Sequence, residues 1–107
     1  MDIRLESELR KLHEQSELFE KVERDHFKLE AHEDVIWSQL FIRTTGTVAE
    51  REASTYACQD WIRFSEGLAE SKSRFNQQRR MWEVGLKRFD AEYLSFKIQN
   101  EAIKRSR

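Results

Sequence analysis

Proline is missing altogether from the 107 residues, and glycine occurs three times, at 46, 67 and 85. Without proline, nothing covalent forces a helix to break. An all-β or α/β chain needs a turn signal every ten residues or so, and three glycines cannot supply them. The composition therefore predicts an all-α chain. Cysteine is nearly absent too: the single Cys58 cannot close an internal disulfide, so nothing requires an oxidising compartment. No run approaches the roughly 18 apolar residues of a membrane span. Met1 and Asp2, followed by Arg4 and Glu6, match neither a signal peptide nor a transit peptide. No membrane partner is expected, and the default location is cytoplasmic.

What the chain does carry is charge and a repeat. Charged residues make up 36% and apolar residues 38%, a balance ordinary for exposed helices and unusual for a compact globule. The charge is unevenly spread. Residues 1–70 hold 16 acidic and 9 basic side chains, whereas residues 71–107 hold 4 acidic and 10 basic. That polarity can orient partners, pair subunits head to tail, or present a basic end to nucleic acid.

Trp61, Leu68, Phe75, Trp82, Phe89, Phe96 and Ile103 recur every seventh residue without a miss. Sustained heptads of apolar residues mark a long helix that keeps one seam against another helix. Upstream, the apolar series Leu5, Leu9, Leu12, Ser16, Phe19, Val22, His26, Leu29, Glu33, Ile36 and Leu40 spaces by fours and threes. The steps 16, 19, 22 give two threes in a row, which reads as a stammer that overwinds a coiled coil.

Between the two series lies Arg43-Thr44-Thr45-Gly46-Thr47. Gly46 can take the left-handed conformation that ends a helix, and Thr47-Val48-Ala49-Glu50 fits a capping box. The sequence thus predicts a single helical domain over 1–107, with a helix over about 3–42, a turn at 43–47 and a helix over about 48–104. Gly67, Ser71 and Ser73 make 67–73 the softest stretch of the second helix, where a break is the alternative. The expected architecture is an antiparallel, coiled-coil-like helical hairpin assembled into an oligomeric bundle.

Folded about Gly46, such a hairpin sets Leu12 near Gln78 and Leu5 near Gly85 by simple helical geometry. Phe89, Tyr93, Phe96 and Ile103 then extend past the first helix with no intrachain cover. A soluble monomer rarely leaves so large an apolar patch in water. The sequence therefore assigns Trp82, Phe89, Tyr93, Phe96 and Ile103 to an interface between copies of the chain.

Catalytic chemistry finds little to stand on. Glu23 and His26 form an E-x-x-H pair on one helical face, but a dimetal bundle site needs two such pairs and two more inward glutamates. His13-Glu14 and His32-Glu33 lack the second histidine of a zinc-protease helix. Cys58 has no histidine positioned beside it by sequence and reads as a small buried side chain. No glycine-rich phosphate loop exists. No catalytic residue, metal, cofactor or small-molecule substrate is expected, and the chain reads as a non-enzyme.

The basic third offers more. Arg79, Arg80, Lys87 and Arg88 cluster within three helical turns and are candidates for contact with nucleic acid or an acidic partner. Heptad spacing commits the neighbouring aromatics to a helix interface, which argues against their stacking on bases.

The segment Gly46-Thr47-Val48-Ala49-Glu50-Arg51-Glu52-Ala53, followed by Tyr56 and by Phe64-Ser65-Glu66-Gly67-Leu68-Ala69-Glu70, resembles a group of small helical proteins of tailed bacteriophages and prophages. The resemblance covers roughly the second half of the chain. Lys97-Ile98-Gln99 departs from it, standing where the group carries an arginine-bearing segment. The group is often encoded near recombination and replication genes. The resemblance implies a phage protein in the cytoplasm of a bacterial host. It would serve as an accessory to DNA recombination or replication, or modulate a host factor, through protein contacts.

Overall fold

The computed structural model describes residues 3–106, and these form three α-helices and no strand. Met1 and Asp2, cited above for the leader reading, and Arg107, counted in the basic third, lie outside the described residues. The helices are α1 (Ile3–Ile42), α2 (Val48–Ala57) and α3 (Gln59–Arg105).

The first helix stops where the sequence says it should. Gly46 has φ of 112°, a conformation that L side chains rarely adopt, and a Cβ there would press into the Glu50 side chain. Thr47 is extended, and its hydroxyl accepts the Glu50 backbone amide at 3.2 Å, capping α2.

A second break interrupts the helix expected over about 48–104. It falls at Cys58, and the soft stretch 67–73 is uninterrupted helix. Cys58 has ψ of 146°, closes α2 by donating its backbone N–H to the Thr55 carbonyl at 3.3 Å, and opens α3 by accepting the Trp61 amide on Sγ at 3.4 Å. The sulfur does for α3 what a serine oxygen usually does at an N-cap. Cys58 is therefore a half-buried capping residue, not the small core side chain that its neighbours suggested. Gly67, Ser71 and Ser73 lower helix propensity by only a fraction of a kcal/mol each, to about 1 for glycine, and seam contacts override that. Ala57 is exposed at the end of α2, and Thr55 is buried.

Packing divides the chain into two compact units. One joins the stretch up to Lys21 with the stretch from Asn76 onward. Here α1 and α3 run antiparallel: Phe19 stacks on Trp82 at 5.7 Å with ring planes 6° apart, and Gly85 lies against Leu12 and Gln15. The expected partner of Leu12 was Gln78, so the observed pairs place the register roughly two to three helical turns away. The cause is α2, which is a separate connecting helix rather than the first three turns of the long arm. The same shift brings more of α1 alongside α3. Leu5 is buried, and Phe89 and Phe96, expected to lack cover, are half-buried within this unit. Tyr93 and Ile103 remain exposed.

The apparent stammer dissolves on inspection of burial. Leu9 is exposed, and the seam in this unit passes through Leu5, Glu8, Leu12, Gln15 and Phe19, a regular alternation of threes and fours. Two polar side chains hold seam slots that an apolar reading passes over. Glu8 pairs with Lys11 at 3.7 Å, and the Gln15 carbonyl oxygen is buried against Gly85 with no partner among the described residues.

The other unit is Val22–Phe75. At its centre His26 is buried, stacks on Phe75 at 5.4 Å, and uses both ring nitrogens: Nδ1 lies 3.3 Å from Ser71 Oγ and Nε2 lies 3.0 Å from Glu30. Further along, Trp37 stacks on Phe41 at 5.0 Å and meets Tyr56 of α2 at 5.8 Å, and Tyr56 meets Trp61 edge-on at 6.2 Å.

Candidate interaction surfaces

Arg51 sets the geometry around the turn. Its Nε donates to Thr44 Oγ1 at 3.2 Å, its Nη2 donates to the Phe41 carbonyl at 3.2 Å, and its guanidinium lies 4.1 Å from the centre of the Phe41 ring. Thr44 donates its own hydroxyl to the same carbonyl at 2.6 Å. The last carbonyls of a helix have no intrahelical donor and carry partial negative charge, so a guanidinium there both completes and neutralises the helix end. Sequence reading places Arg51 on α2 but does not reveal this role, because the pairing spans ten residues across a turn. Thr55, fully buried, returns its hydroxyl to the Arg51 carbonyl at 2.8 Å. Together these contacts fix α2 against the end of α1 and hold Tyr56 where it is.

Tyr56 forms one wall of a cleft of about 410 Å³ lined also by Trp37 and Trp61, with Glu33, Asp34 and Ser38 at its edge. Glu33 falls seven residues after His26, on the seam, and is half-buried. Neither Glu33 nor Asp34 makes an ion pair among the described residues. The Trp37 indole nitrogen is buried and has no acceptor among the described residues. Aromatic faces and carboxylates together attract organic cations. Sequence reading missed this cleft, because its walls come from three helices and Tyr56 enters only through the extra break at Cys58.

The expected interface residues separate into two groups. Trp82, Phe89 and Phe96 belong to the seam between α1 and α3. Tyr93 and Ile103 are exposed, with Tyr93 stacked beside Phe89 at 6.4 Å and Lys97 5.9 Å above its ring. Another apolar stripe on α3 was not anticipated. Val84, Leu94 and Ile98, 54–59% exposed, fall by helical spacing on the side away from Trp82 and Phe89, and Met81, 44% exposed, flanks them. Among them stand Arg80, Lys87 and Arg88, all exposed and without an ion pair among the described residues; Arg79 is exposed as well.

No protein-family model, curated protein or solved structure matches this chain. Its surfaces must speak for themselves.

For metal chemistry the described residues offer no cluster of three or more histidine, cysteine or carboxylate ligands. Both nitrogens of His26 are already engaged, and its carboxylate partner is Glu30, not the Glu23 of the E-x-x-H spacing. No helix among the described residues is long and apolar enough to cross a membrane.

Proposed function

We propose that this chain is a non-enzymatic helical interaction protein that associates with copies of itself and acts through protein contacts. The observation that carries this reading is how little it buries. Among the described residues Leu5 is the only large hydrophobic side chain in the buried class, while Met81, Val84, Tyr93, Leu94, Ile98 and Ile103 are exposed along one half of α3. Covering such side chains is worth about 25 cal/mol for each Å² removed from water. Exposed patches of this kind mark association surfaces. Oligomeric bundle assembly is the cover we favour.

The biological setting we propose follows the resemblance of the second half to phage proteins: an accessory of phage DNA recombination or replication, or a modulator of a host factor. Introducing charge into the exposed stripe with Val84→Glu and Ile98→Glu should lower the mass in solution while leaving helicity intact. Unchanged mass with both glutamates in place would remove the stripe from the interface.

One observation favours a second reading. Arg80, Lys87 and Arg88 stand on one helix without an ion pair among the described residues, as phosphate-binding cations would. Direct nucleic-acid binding through them would weaken steeply between low and moderate salt, and glutamine substitution at Arg79, Arg80, Lys87 and Arg88 would shrink the salt slope. We expect instead no measurable binding to single- or double-stranded DNA at physiological salt.

A further inference from the structure

The aromatic cleft and the basic stripe are complementary in two respects at once. The cleft is lined by Trp37, Tyr56 and Trp61 together with Glu33 and Asp34, two carboxylates that make no ion pair among the described residues. The stripe offers Met81 and Val84 beside Arg80 and Arg88, cations that likewise make no ion pair there. We propose that the cleft of one copy receives the basic, apolar face of α3 of a second copy, with an arginine of that face set against Glu33 and Asp34 and over the aromatic rings.

Each property of the cleft fits an arginine. Half-buried Glu33 lines the cleft next to exposed Asp34, so two carboxylates stand side by side for a cation to join. Guanidinium is planar, pairs bidentately with carboxylates, stacks on indole and phenol faces, and sheds water more readily than an ammonium does. The methylene stem would cover part of Tyr56, which is 59% exposed. The sequence supplies the same complementarity on a larger scale, since residues 1–70 are mainly acidic and residues 71–107 mainly basic. Contact between unlike surfaces of identical chains also gives the pairing a direction.

This inference rests on the self-association proposed above, and the experiment separates the two. Full-length chains carrying Glu33→Lys with Asp34→Lys, or Arg80→Glu with Arg88→Glu, are compared with the unaltered chain by sedimentation velocity and tryptophan emission, with circular dichroism to verify helicity. Each variant alone should lose association by at least tenfold in the apparent constant. Mixing the two variants should restore it, because each supplies the charge the other now needs. Should a reversal disturb the fold, the milder Glu33→Gln and Arg88→Gln substitutions replace it, each weakening association several-fold and flattening its salt dependence. Variants that associate as tightly as the unaltered chain, or a mixture that recovers nothing, overturn the cleft as the contact while self-association stands. An unaltered chain that is monomeric overturns self-association itself and this pairing with it.

Discussion

At the scale of single residues, the turn is held by backbone conformation and by one cation. Gly46→Val should destabilise the fold by about 1 kcal/mol or more, because φ of 112° is strained for any L side chain and the new Cβ meets Glu50. Gly67→Ala provides the opposite case. It sits within α3 with open space around the missing Cβ, so the substitution should stabilise by about 0.5–1 kcal/mol. Thermal melts of the two variants that move in the same direction would contradict the assignment of these glycines. Arg51 is the larger effect. Arg51→Gln removes charge-assisted bonds to Thr44 and Phe41 and the ring contact, and chemical denaturation should show a loss of about 2–3 kcal/mol. Arg51→Lys should recover only part, since an ammonium keeps the charge but not the fork.

At the scale of elements, the long helices and the first joint were legible and the second joint was not. Absent proline, sparse glycine and heptads from Trp61 onward carry the all-helical reading, and Gly46-Thr47-Glu50 marks the first joint by its chemistry. Cys58 carries no such mark, because a cysteine is rarely read as a cap. That one unread joint displaced the register of the seam by roughly two to three helical turns and left the aromatic cleft unseen. Glu8 and Gln15 were unreadable for a different reason: burial of a polar side chain depends on what faces it, here Gly85 in the case of Gln15. The cap reading of Cys58 has a direct check. Cys58→Ser retains an acceptor for the Trp61 amide and should melt within about 0.5 kcal/mol of the unaltered chain, whereas Cys58→Val should lose roughly 1 kcal/mol. Equal melting of the valine and serine forms would show that the sulfur caps nothing.

At the scale of the whole molecule, uncovered apolar surface is what drives association. Seam residues such as Phe19 and Trp82 satisfy each other, but α3 keeps further apolar side chains in water on its other side. The basic stretch 79–88 was legible as charge from the sequence, while its company of exposed Met81 and Val84 became visible only once the seam had claimed Trp82 and Phe89. Charge alone suggests phosphate; charge interleaved with an unburied apolar stripe suggests an acidic, apolar protein surface. Sedimentation equilibrium of the full-length chain, over a concentration series spanning the micromolar range at physiological salt, tests this most directly. A mass of two or more chains, with helicity unchanged, is the result expected. A mass of one chain throughout, with helicity intact, would contradict the account.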